Sequence, residues 1–227
     1  MSTIQTTPEQ KIQELQLALS KFSHEIRNPV TLIHSELQLL LSTHPEISMY
    51  KEWEDILDNI EYIKELLKEL SDYNNAGRIQ FTCTDLKSYL HRIASAVRPS
   101  MEYLEINFKE EIAEDLPELP IDPVKLRQAL FNLLRNAQEA VNGPLGKILF
   151  RAETVPEKKL IAITIQDNGC GMTPEQQEKI FSPFVTYKKN GTGLGLAITR
   201  QIIEAHNGTL TVMSSPDQGS TFTLFLG

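Results

Sequence analysis

Two apolar runs with mixed three- and four-residue steps constrain the first third of this chain more than any other feature. Phe22, Ile26, Val30, Ile33, Leu37 and Leu40 form the first. Trp53, Ile56, Ile60, Ile63, Leu67 and Leu70 form the second, after a break at Thr43-His44-Pro45. A mean step of about 3.5 residues keeps these side chains on one helical stripe, the a/d seam of a left-handed helix bundle. Pro8 suits the first turn of a helix, and Asn74-Asn75-Ala76-Gly77 stops the second run. Two long helices joined by a short turn predict an antiparallel hairpin. One hairpin cannot cover both seams, so two copies are expected to pair into a four-helix bundle, making the chain a homodimer.

Beyond Gly77 the texture changes. Residues 79–83 read as a short strand, 85–97 as a helix with Asp85 as N-cap and Pro99 past its end, and 104–112 as a strand. Asp122 followed by Pro123 opens a helix that runs to Val141 and stops at Asn142-Gly143-Pro144. Strands are expected at 147–154 and 159–166, with 168–191 as an irregular loop rich in Gly, Pro and polar residues. A helix at 194–206 ends at Asn207-Gly208, and strands at 209–214 and 220–226 finish the chain. Helices mixed with neighbouring antiparallel strands imply an α+β sandwich. The expected domains are therefore 1–76, helical, and 77–227, α+β.

Charge excludes one class of partner. With 22 basic and 30 acidic residues the net charge is −8, so a broad nucleic-acid surface is not expected. A nucleotide remains compatible, because a metal and backbone amides can meet its charge locally. Cys83 and Cys170 form no CxxC pair and read as free thiols. No apolar run is long enough to span a bilayer, and the first residues lack the pattern of a signal peptide. A cytoplasmic protein is expected, or the soluble part of a longer membrane-anchored one.

Two candidate sites stand out. His24 points roughly 160° from the middle of its helix's apolar stripe and is expected to face solvent. Glu25 is adjacent, Asn28 shares its face one turn on, and Pro29 removes the N–H that would bond the Glu25 carbonyl. A carboxylate accepting one imidazole proton raises the nucleophilicity of the other ring nitrogen. His34, His44, His91 and His206 read as ordinary surface histidines. The second site begins at Asp167-Asn168-Gly169-Cys170-Gly171, where a carboxylate at a strand end can accept from an amine and Gly169 and Gly171 admit a ligand to the backbone. Gly191-Thr192-Gly193-Leu194-Gly195-Leu196 then enters a helix, whose open amides and positive end suit phosphates. Lys188 and Lys189 precede it as possible phosphate partners. Asn132 and Asn136 lie one turn apart with Arg135 beside them, and an amide oxygen is a hard ligand suited to Mg²⁺.

Together these residues resemble a two-component sensor histidine kinase. The box Ser23-His24-Glu25-Ile26-Arg27-Asn28-Pro29 is similar to the family's phospho-acceptor motif, and Asn132-Leu-Leu-Arg-Asn136-Ala to its asparagine box. Asp167 to Gly171 is similar to the first glycine box, Phe181-Ser-Pro-Phe184 to the phenylalanine box, and Gly191 to Leu196 to the second glycine box. The ending Asn136-Ala-Gln-Glu139-Ala140 resembles the nitrogen-regulation and sporulation subgroup. Many relatives carry Lys where Glu139 stands, and Arg135 is the candidate substitute.

The resemblance implies an α + α/β architecture: a dimeric four-helix bundle carrying His24, followed by a two-layer α+β sandwich of the Bergerat fold that binds ATP. It implies ATP and Mg²⁺ as ligands, with Asp167 meeting the adenine amine, Asn136 the metal, residues 181–189 forming a lid and 74–78 a hinge. His24 is then the phosphoryl acceptor, Glu25 takes its proton, and Asn28 can orient water for a phosphatase reaction. The implied partner is a response-regulator receiver domain. Rivals are a related-fold ATPase, a serine kinase of the anti-sigma type and a non-catalytic scaffold. The ATPases carry Glu at the position of Asn132, and an amide cannot act as a base at neutral pH; the serine kinases lack a His-bearing hairpin.

Overall fold

The computed structural model describes residues 8–141, 143–188 and 191–227, with only the backbone described for 8–22 and 24. It divides into two compact units, Met1–Asn75 and Ala76–Gly227.

The first unit is a helical hairpin. Helix α1 (Pro8–Thr43) and helix α2 (Lys51–Asn75) are joined by a short 3₁₀ turn, Pro45–Met49. α1 runs unbroken through Pro29. On α2, Trp53, Ile60 and Leu67 are buried at seven-residue intervals, one heptad position repeated. Polar contacts reinforce the pairing, with Arg27 donating to the Leu67 carbonyl at 3.3 Å and His34 Nε2 lying 3.4 Å from Glu61. Other seam positions are less covered: Ile33, Leu40, Ile56 and Ile63 are 48%, 41%, 44% and 39% exposed.

The second unit is a two-layer sandwich. Its main sheet has the order β2 (Asn107–Ile112), β4 (Lys147–Val155), β5 (Leu160–Asp167), β7 (Gly219–Leu226), β6 (Thr209–Ser215). Only the β2–β4 pair is parallel. Register places Phe150 opposite Ile165 and Ile165 opposite Phe222, all three buried, so one sheet face is continuous apolar core. Helices α3 (Leu86–Tyr103), α4 (Pro123–Ala140) and α6 (Gly195–Ala205) cover it, supplying buried Leu90, Leu130, Leu133, Ile198 and Ile202. The opposite face carries Arg151, Thr164 and Thr223, which are half-exposed.

Several expectations need correction. α3 continues past Pro99 to Tyr103, because Met101 is buried and holds one more turn on the core. The first strand of this unit is β1 (Thr82–Asp85), not 79–83, and the next begins at Asn107 rather than 104. β1 pairs with β3 (Glu118–Ile121), a strand the sequence analysis does not assign. A two-stranded ribbon tolerates Pro120, whose missing N–H falls on an edge strand. The loop 168–191 also holds a short helix α5 (Pro174–Lys179), opened by a Thr173/Gln176 capping box.

His206 is the clearest correction, being 4% exposed rather than at the surface. Its Nε2 accepts from the Asp122 N–H at 2.9 Å, and its Nδ1 lies 2.7 Å from the Ile202 carbonyl, to which it donates. Asp122 in turn caps α4 through the Val124 and Lys125 amides, both at 3.0 Å, and accepts from Gln80 N at 2.7 Å. The imidazole therefore joins the end of α6 to the start of α4. His206→Ala leaves a cavity and an unpaired buried N–H, so it is expected to destabilise this unit by about 2 kcal/mol. Urea denaturation followed by circular dichroism would measure the loss.

Candidate nucleotide-binding site

α4 is the spine of the candidate site. Its Asn132 Nδ2 donates to the Gly195 carbonyl at 3.2 Å, and Thr199 Oγ1 donates to the same oxygen at 2.9 Å. The first turn of α6 is thereby held against the asparagine face of α4. One turn along, Asn136 Oδ1 accepts from Lys188 Nζ at 2.8 Å. Lys188 also contacts Glu139 Oε2, and Arg135 Nε lies 3.1 Å from Glu139 Oε1.

The end of α4 meets the Asp167 segment. Cys170 N donates to the Ala140 carbonyl at 3.2 Å, and a side chain at Gly169 would overlap that carbonyl. Gly171 has φ of +64°, and a Cβ there would overlap the Ser215 carbonyl oxygen, so the turn requires glycine. Asp167 itself is 5% exposed at the end of β5. Its Oδ1 accepts from Gly169 N at 2.8 Å and Ser220 N at 3.2 Å. Among the described residues Oδ2 takes no hydrogen bond, which leaves an acceptor for a ligand amine.

Burial holds the Asp167 carboxyl above the ordinary Asp value of 3.8; the amides of Gly169 and Ser220 and the charge of Lys188 only partly oppose this. A carboxyl whose folded pKa is raised favours the fold below 3.8, and that contribution is lost as pH rises through the folded value. Binding of an amine donor requires the ionised form and runs the other way. Affinity for an adenine nucleotide is therefore expected to fall on acidification while pH is still above 3.8, which calorimetry from pH 7 downward would show.

The segment between these anchors is tied at both ends. Ile180 is buried, and the Phe181 ring packs edge-on against Phe222 with centroids 6.5 Å apart. Phe184 N donates to the Gly193 carbonyl at 3.0 Å. Gly193 has φ of +72°, and a Cβ there would lie 2.6 Å from Phe184 backbone. Leu194 is buried and precedes α6, with Thr192 Oγ1 accepting from its N–H at 3.3 Å. Gly191, Thr192, Gly195 and Leu196 are half-buried.

The structure thus brings Asn132, Arg135, Asn136, Asp167, Gly169, Gly171, Lys188 and 191–196 to one edge of the sandwich. Glu25 and Asn28 are exposed on α1 in the other unit. The side chain of His24, and Lys189 entirely, lie outside the described residues. Sequence reasoning missed three supports: Ser220, which acts through its backbone amide; Thr199, one helical turn after Gly195; and buried His206. Only Thr199 had a local signal, a hydroxyl four residues from a helix start.

Residues 121–227 match the histidine kinase-, DNA gyrase B- and HSP90-like ATPase family, and residues 14–78 match the His Kinase A (phospho-acceptor) domain. The chain belongs to the histidine kinase family, and its second unit has the Bergerat fold. It is 33% identical over 204 residues to the signal transduction histidine-protein kinase AtoS of Escherichia coli K12, covering 90% of this chain and 33% of AtoS. With the sensory histidine kinase/phosphatase NtrB of Vibrio alginolyticus it shares 31% over 226 residues, covering 94% and 63%. The chain therefore spans a third to under two thirds of these curated relatives. The catalytic domain of histidine kinase ThkA superposes with TM-score 0.58 at 32% identity, covering 65% of this chain and 95% of that one. ThkA in complex with the response regulator protein TrrA gives TM-score 0.67 at 25% identity, covering 96% and 64%.

Proposed function

We propose that this chain transfers the γ-phosphoryl group of ATP to His24 and then to an aspartate of a response-regulator receiver domain. One observation carries the reading. A buried carboxylate, an asparagine-bearing helix and a glycine-bounded loop converge on one edge of the α+β unit, in the same chain as an Ser-His-Glu-Ile-Arg-Asn-Pro helix. Asp167 accepts from the adenine amine, and the amides of 191–196 at the start of α6 meet the phosphates. Lys188, Lys189 and Arg135 supply positive charge, and the 181–189 segment acts as lid.

Magnesium suits this site. The Asn136 amide oxygen already faces a cation, the Lys188 ammonium. Among the described residues no cluster of His, Cys, Asp or Glu could hold a metal alone, as fits an ion bound mainly by phosphates and water. Asn136 would hold the ion, which when bound neutralises phosphate charge.

One imidazole nitrogen of His24 attacks the γ-phosphorus, the bond to the bridging oxygen breaks, and ADP leaves. Glu25 accepts the proton from the other ring nitrogen. The receiver aspartate then attacks phosphorus, the P–N bond breaks, Glu25 returns its proton to the leaving ring, and neutral His24 is restored. Catalysis is by positioning and charge stabilisation. Exposed Asn28 orients a water that attacks the receiver's aspartyl phosphate, breaking its acyl–phosphate bond and releasing inorganic phosphate and the free carboxylate. Residues 1–76 serve as the dimerisation and phosphotransfer domain and 77–227 as the ATP-binding domain, with 74–78 as hinge. The half-exposed Ile33, Leu40, Ile56 and Ile63 support pairing of two hairpins. No described helix is long and apolar enough to cross a membrane; dependence on ATP supports a cytoplasmic location. Incubation with γ-labelled ATP, followed by addition of candidate receiver domains, tests the reading: label should enter this chain first and then move to one receiver. Absence of label on the chain would refute it.

A further inference from the structure

Glu139 has no part in the reaction above, yet it lies between two cations at the rim of the site. Its Oε2 accepts from Lys188 Nζ at 2.5 Å, and its Oε1 lies 3.1 Å from Arg135 Nε. The same Lys188 ammonium donates to Asn136 Oδ1 at 2.8 Å. Lys188 belongs to the loop whose ends are tied by the Phe184–Gly193 hydrogen bond, whereas α4 is backed by β5 and β7. The Lys188 ammonium therefore fastens that loop to α4. It also covers the amide oxygen assigned to the magnesium–nucleotide complex, and two cations crowded on one oxygen repel.

We infer that Glu139 is the counter-ion of a lid latch. It holds Lys188 on Asn136 when no nucleotide is bound, and the ammonium passes to the phosphates when the complex enters. Arg135 keeps the Glu139 carboxylate oriented through the exchange. This rests on the nucleotide-binding reading of the site and adds a competitor built into it. The Lys188 and Glu139 side chains are 46% and 39% exposed, so the latch is weak and opens readily.

Calorimetric titration of the full chain with β,γ-imido-ATP and magnesium, on wild type, Glu139→Gln, Lys188→Met and the double variant, tests it. Glu139→Gln should tighten binding about three-fold in the wild-type background and leave it unchanged in the Lys188→Met background, where no ammonium remains to be held. Simple removal of a negative charge near an anionic ligand would tighten both backgrounds equally, and that result overturns the latch. Without nucleotide, trypsin should cut after Lys188 faster in Glu139→Gln than in wild type; equal rates also overturn it. If the wild type binds no analogue, the nucleotide reading falls and the latch with it. If it binds but shows no coupling between Glu139 and Lys188, the latch alone falls.

Discussion

Replacement of His24 by Gln is expected to abolish uptake of label from γ-labelled ATP and leave nucleotide affinity within about two-fold of wild type. The amide keeps polarity and helix compatibility but offers no nucleophilic nitrogen, because its lone pair is delocalised. The residues proposed for the nucleotide site belong to Ala76–Gly227 and His24 to the other unit, so binding should not sense the change. Parallel measurement of label and of analogue affinity separates loss of the acceptor from loss of the donor. A variant that still labels would remove His24 from the mechanism. One that loses both signals would point to a damaged fold.

Asp167→Asn should do the converse, weakening nucleotide binding by about 10- to 100-fold, the worth of a hydrogen bond to a charged group. The reason is geometric. Oδ1 is engaged by the Gly169 and Ser220 amides, so an asparagine must keep its oxygen there and turn its NH₂ outward. A donor then faces the adenine amine, itself a donor. The backbone of β5 and β7 is unaffected, so thermal unfolding should shift little while affinity collapses. Retained affinity would show that Asp167 supports the turn rather than the ligand.

Much of this molecule was legible in its sequence because local rules and tertiary packing agree there. The heptad runs became α1 and α2, and Asp122-Pro123 opens α4 with the Asp side chain capping two amides. The asparagine pair shares one helix face, one residue bound to α6 and the other to Lys188. Where reading failed, tertiary contacts overrode local signals. Met101 burial carries α3 beyond Pro99, and β3 exists only because β1 pairs with it across Pro120. The burial of His206 depends on a strand-end amide 84 residues away, which no local window contains. The support of Asp167 by Ser220 is likewise a backbone contact, invisible in side-chain identity.

The most direct test locates the phosphate and reads its chemistry together. After incubation with γ-labelled ATP, trypsin releases residues 22–27, Phe-Ser-His-Glu-Ile-Arg, which hold both a serine and a histidine. A phosphoramidate on His24 is expected there, lost in acid and stable in alkali. Acid-stable label on Ser23, or label confined to any other peptide, would contradict the account.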